Sequence, residues 1–269
     1  MKKTVLFLAT AFALAMSASA QNWGSFLIGL DPGHGGSDPG ASGPSAPHEA
    51  TLCLRCCNKI KSTITGMGGR VNMTRSSNVD VSLSYRRSLS VSWNPYIFQS
   101  VHLNAFNGSA HGTETWYYWS AGNSNRLASK VQAQLVNQLK SMANYSTTNR
   151  GVKQNGWTVI TGSSNVPASL SEGLFVDYWN EWNIINAENK NGFLAWAMGH
   201  CMGFYDHLSL FSSSLTNPKG SSTPPTPPAP SPTMSVSAES HNFPDTYEPE
   251  VSYFDIDVKA SNLTADISY

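Results

Sequence analysis

Apolar residues in this chain fall either in short continuous runs or at helical spacing, and the two patterns alternate. The runs at residues 26–30 (FLIGL) and 96–102 (YIFQSVH) predict strands buried on both faces. Residues 71–74, 114–119, 157–161 and 168–175 are predicted as further strands. Between them, Leu52, Cys56, Ile60 and Ile64 recur at helical spacing behind Glu49 and stop at Gly66 and Gly68-Gly69. Residues 82–93 and 127–142 are predicted as helices too. Phe193, Leu194, Ala197, Cys201, Phe204 and Leu208 predict a closing helix whose stripe reads as core. Strand, loop and helix repeat with short connections and without an internal repeat. The predicted fold is therefore α/β, a twisted, mostly parallel sheet flanked by helices.

The pattern breaks at both ends. Lys2 and Lys3 precede an apolar run at residues 5–16 and a small-residue Ala18-Ser19-Ala20 site, the form of a signal peptide over residues 1–20. No cysteine follows that site to take a lipid, and no later run is apolar enough to cross a bilayer, so the expected product is exported, periplasmic or secreted, without a transmembrane segment. Residues 21–215 make the expected catalytic domain, and residues 216–233, dense in Pro, Ser and Thr, an extended linker. Residues 234–269 alternate apolar and polar positions in two short stretches and resemble the opening strands of an immunoglobulin-like module, too short to close a sandwich. Charge divides at the same boundary: residues 21–233 hold 14 basic and 10 acidic side chains, a net of +4, whereas the tail has seven acids and one base, a net of −6. That excess suits an anionic wall polymer or ordinary surface variation and is too small for nucleic acid. Cys53, Cys56 and Cys57 share about one helical turn and only Cys201 is distant, which is neither a disulfide framework nor a zinc knuckle. Buried thiols are expected, with one bridge to Cys201 left open.

The candidate chemistry gathers at strand ends. The loop LDPGHGGSDPGA at residues 30–41 leaves the first strand and presents His34 among glycines. His102 ends the second buried run, and Glu49 opens the helix after the loop. In open α/β sheets ligands collect at that edge. Two imidazoles and one carboxylate make a catalytic zinc set with a fourth position left for water. Glu172, at the end of the last predicted strand, is the carboxylate available to move protons. His48 and His111 end no apolar strand and read as loop histidines; Glu181 is a reserve carboxylate. Arg75 and Arg86 read either as substrate ligands or as structural ion pairs, and Asp31 and Asp38 as acceptors for a ligand imidazole or as turn caps.

Over residues 26–208 the sequence resembles the zinc-dependent N-acetylmuramoyl-L-alanine amidases of bacterial cell walls, the type 3 amidase family. The resemblance rests on residues 30–41, Glu49, Thr74-Arg75, residues 81–86 (VSLSYR), 100–105 (SVHLNA), 112–118 (GTETWYY), 150–152 (RGV) and 167–172 (PASLSE). It implies one Zn2+ on His34, Glu49 and His102, Glu172 as the catalytic carboxylate, and hydrolysis of the amide joining N-acetylmuramic acid to L-alanine in peptidoglycan, by a monomer. Two departures stand out: Ala50 and Thr51 replace a charged pair after Glu49, and Ser169 and Ser171 sit in a strand that is commonly apolar. The family's tightly controlled members carry a helical insertion over the zinc. Residues 116–150 are too few for one, so an open site is expected. Two rival readings remain: a zinc peptidase cutting within the stem peptide, and a non-catalytic wall-binding module.

Overall fold

A computed structural model describes residues 23–119, 122–162, 165–212, 215, 217, 218, 234–235 and 259–260. The expected signal peptide, most of the linker and most of the tail lie outside these residues. Contacts divide the chain into two units, Met1–Pro224 and Pro225–Tyr269. In the second, Met234–Ser235 pairs antiparallel with Lys259–Ala260.

Among the described residues, the first unit holds one six-stranded sheet with helices on both sides. Its strands are β1 (Leu27–Pro32), β2 (Arg70–Met73), β3 (Ile97–Asn104), β4 (Thr113–Tyr117), β5 (Asn149–Gln154) and β6 (Ala168–Phe175). The helices are α1 (Glu49–Gly66), α2 (Leu83–Trp93), α3 (Ser124–Ala143), α4 (Trp179–Ile185) and α5 (Asn191–Leu208). The order across the sheet is β2-β1-β3-β6-β4-β5. The first four run parallel; β4 meets β6 antiparallel and carries β5 parallel to itself. Successive side chains of a strand alternate faces, which splits the core in two. Ile28, Leu30, Val101 and Leu174 join α1, α3 and α5 in the larger cluster. Phe98 and Leu170 face a smaller one closed by Val159 and Ile160.

That smaller cluster corrects the sequence at residues 157–161. They form not a strand but a 3-10 turn, Thr158–Ile160, which turns the adjacent Val159 and Ile160 both inward as a plug over Phe98 and Leu170. Two consecutive buried side chains are what a strand with one solvated face cannot supply. β5 and α4 were not foreseen. The first, NRGVKQ, is an edge strand with no apolar alternation; the second has a single turn of buried residues, Glu181, Trp182 and Ile185. All four cysteines are free thiols and buried, so no bridge to Cys201 forms. Ser82 caps α2 by accepting from the Tyr85 amide at 3.2 Å, and Asn94 ends it in the left-handed region.

Ser169 and Ser171 take the face opposite Glu172. Ser169 donates to Gln99 Oε1 at 2.5 Å, and Ser171 lies 2.7 Å from His200 Nε2 on α5. Their polarity is satisfied inside the larger layer, and Glu172 stays in register with His102, the pairing shifting only beyond them, between His102 and Asn104.

Candidate active site

The glycine loop leaves β1 at Pro32 and returns to the sheet edge only at α1. Two close approaches fix its composition. A Cβ on Gly33 would stand 2.3 Å from the His102 ring, and one on Gly40, whose φ is +67°, would meet His34 and Glu49 at 2.6 and 2.7 Å. His34 itself adopts φ +57°, a left-handed conformation that costs a residue with a Cβ about 1 kcal/mol. Two buried arginines hold it there. Arg86 donates to the carbonyls of His34 (2.6 Å) and Pro32 (2.7 Å) and to Asp31 Oδ1 (2.7 Å). Arg75 donates to the carbonyls of Pro32, Gly33 and Ala50. Both guanidiniums are therefore occupied in the scaffold, and so is Asp31, which also accepts from Thr74 and Ser100.

His34, Glu49 and His102 converge. One ligand atom from each lies within 4.8 Å of the others. Glu49 Oε1 is 3.2 Å from His34 Nε2 and 3.0 Å from His102 Nδ1, while its Oε2 accepts from the Ala41 amide at 2.7 Å. Ligands on a tetrahedral zinc with bonds of about 2.0–2.1 Å stand about 3.3 Å apart, so this donor set fits a small divalent cation with little movement. The other nitrogen of His34 faces Asp38 Oδ2 at 2.7 Å, which orients the ring and leaves Nε2 turned to Glu49, where it could serve as a metal ligand. Electrostatics agree. Burial opposes protonation of His34, yet Glu49 and then Asp38 push it up to about 9. Burial alone would raise Glu49, but His102 and His34 hold it down at about 2. Both imidazoles contact the Glu49 carboxylate, a role that a dication would take over.

Glu172 stands one strand away. His102 of β3 is in register with Glu172 of β6, which is in register with Glu114 of β4, so the three side chains share one face in a row across the sheet. Glu172 Oε2 is buried without a hydrogen-bond partner among the described residues. Burial, then the charges of Glu49 and Glu114, push its carboxyl well above the usual range. Glu114 behaves oppositely: burial raises it, but Lys153 and Arg150 hold it low. A cleft of about 360 Å³ opens beside the histidines on the β1 flank, bounded by Val81, Leu83, Arg86 and Val159.

The N-acetylmuramoyl-L-alanine amidase family model matches residues 28–200, which span all of these positions. The chain belongs to that family. It is 34% identical over 194 residues to the endolysin of Bacillus phage SPP1, covering 71% of this chain and 69% of that relative. It is 29% identical over 189 residues to the sporulation-specific N-acetylmuramoyl-L-alanine amidase of Bacillus subtilis, covering 70% of each. Among solved structures, an N-acetylmuramoyl-L-alanine amidase from Clostridium difficile 630 superposes with a TM-score of 0.61 at 30% identity, over 70% of this chain and 97% of that one.

The rival candidates of the amidase fall outside the cluster. His48 is the residue before α1, its ring 3.0 Å from Ser42 Oγ. His111 stacks on Tyr178 with centroids 5.1 Å apart. Glu181 is fully buried and ties three segments together, accepting from the amides of Gly112 and Phe175 and from Tyr145. Sequence reasoning missed the clamp that Arg150 and Lys153 place on Glu114, although the RGVK run on a polar segment carried the signal.

Proposed function

We propose that this amidase hydrolyses the amide between the lactyl group of N-acetylmuramic acid and L-alanine in peptidoglycan, with one Zn2+ on His34, Glu49 and His102 and with Glu172 as the catalytic carboxylate. The reading rests on one juxtaposition: a convergent His-Glu-His set at the open edge of the sheet, with a half-buried carboxyl in register beside it whose Oε2 has no partner among the described residues. When bound there, zinc supplies Lewis acidity, polarising the scissile carbonyl and acidifying an attacking water at neutral pH. The rest falls to the chain. Asp38 keeps the His34 ring turned, Gly33 and Gly40 leave room for the imidazoles, and Glu172 takes a proton during attack and returns it to the departing L-alanine nitrogen. Without metal, burial and the charges of Glu49 and Glu114 raise this carboxyl; a dication held by Glu49 would offset that charge and favour the carboxylate that attack requires.

Export to the wall, a catalytic unit over residues 21–215, a linker over 216–233 and a separate β-rich tail complete the proposal. Among the described residues no helix is long and apolar enough to cross a membrane. The test is digestion of purified peptidoglycan by the zinc-loaded protein, followed by identification of the ends released. New L-alanine amino termini with intact glycan strands are expected. New termini within the stem would make it a peptidase instead, and binding without any new ends a wall-binding module.

A further inference from the structure

The row His102–Glu172–Glu114 ends in two cations that the chemistry above does not use. Glu114 Oε2 accepts from Arg150 Nε at 2.7 Å and from Lys153 Nζ at 2.5 Å. One carboxylate, 6% exposed, thus holds two positive charges that are 33% and 34% exposed, and the cluster keeps a net positive charge facing solvent. Each cation is also stacked: Arg150 lies 4.9 Å from the Phe175 ring centroid and Lys153 5.1 Å from that of Trp116. Ion pairing and stacking hold both heads in place before any ligand arrives, which lowers the ordering cost of binding an anion.

Resting on the amidase reading above, we propose that Arg150 and Lys153 form a subsite for a free carboxylate on the stem peptide, carried by the residue that follows L-alanine. Position supports it. Glu114 stands two strand spacings from His102, about 10 Å along the row. An extended peptide advances about 3.3–3.6 Å per residue, so a carboxylate borne two residues past the scissile carbonyl lies about 7 Å away. A charge-assisted hydrogen bond of about 2.8 Å closes the gap. Direction follows too: the peptide runs towards β5, leaving the cleft bounded by Leu83 and Val159 on the opposite flank for the sugar side. Glu114 is the positioning residue of this subsite and touches no reacting atom.

Two soluble muramyl tripeptides test it, identical except that the second residue of the stem bears a free α-carboxylate in one and a carboxamide in the other. The wild-type zinc protein should prefer the carboxylate probe about tenfold in kcat/KM, through KM, the size of one charge-assisted contact. In Lys153→Gln that preference should fall to about one to threefold, and Lys153→Arg should restore most of it. A wild-type preference near one, or an undiminished preference in Lys153→Gln, would overturn the subsite while leaving the amidase reading intact. Failure to release L-alanine termini from both probes would overturn the amidase reading and the subsite with it. If Lys153→Gln does not fold, the wild-type comparison of the two probes alone decides.

Discussion

Glu172 and Glu114 are paired across β6 and β4 with Cβ atoms about 5 Å apart on one face, and their carboxyls shift in opposite directions because only one of them has cations. Arg150 and Lys153 take Glu114; nothing among the described residues takes Glu172 Oε2. Glu172→Gln keeps the shape and removes the proton carrier, so turnover should fall by about two to four orders of magnitude with zinc content unchanged. A second readout follows from linkage. A carboxyl whose folded pKa is raised contributes stability at low pH and loses it as pH rises past the unfolded value. Metal-free Glu172→Gln should therefore gain stability over the wild type at pH 7 and little at pH 4, measured by urea unfolding; equal stability at both would contradict a raised carboxyl. His34 sets the metal's own dependence on pH. In the metal-free protein it holds a proton up to about 9, and a metal must displace it. Zinc affinity should rise about tenfold per pH unit between roughly 7 and 8.5, a slope that isothermal titration in two buffers reads directly as one proton released.

At the scale of elements, the site is made where β1, β3 and β6 end and α1 begins, and this much was legible, because apolar runs stop there and glycine, histidine and glutamate follow. The loop's fastening was less legible. Arg75 and Arg86 carried two readings in the sequence, and only their three-dimensional partners, the carbonyls of residues 32–34, separate a scaffold from a substrate contact. Asp31 is the hub, 1% exposed, accepting from Thr74, Ser100 and Arg86. Asp31→Asn leaves the Arg86 charge buried without its counter-ion, a loss of about 3–5 kcal/mol by the usual cost of breaking a buried pair. The expected outcome is a lower urea midpoint together with weaker zinc binding, since Arg86 also holds the carbonyl of the strained His34. Normal metal affinity in a folded Asp31→Asn protein would separate the hub from the site. β5 escaped the sequence for the reverse reason. Its own residues are mostly polar and none is buried, so neither periodicity nor propensity marks it.

The whole molecule joins an organised catalytic unit to a chain that continues past residue 224. Leu215 is 6% exposed and belongs to the main core, beyond the last predicted helix, so a fragment truncated at 208 should lose stability whereas one ending at 224 should fold and keep its activity on purified wall. An inactive 21–224 fragment would make the tail part of the enzyme. The stability of the same unit should fall in mild acid, and α5 is the reason. His200 is fully buried; its Nδ1 faces the Trp196 carbonyl at 2.8 Å, so Nδ1 bears the hydrogen and Nε2 accepts from Ser171. Burial pushes it down to about 4, and it does the same to His207, where Arg126 and Lys130 add repulsion. A histidine held neutral in the fold contributes stability that is complete above about 6.5 and is lost as pH falls towards 4. For His200 the whole interval is worth roughly 3 kcal/mol. Glu172 runs the other way over part of this range, so the net slope of the wild type is shallower than the two histidines alone would give. His200→Gln keeps a donor for the Trp196 carbonyl and an acceptor for Ser171 but cannot be protonated. It should cost stability at pH 7 through imperfect packing and yet lose less than the wild type between pH 6.5 and 4.5, so the two curves of unfolding free energy against pH converge. Parallel curves across that interval would show that His200 is not the group that senses acid.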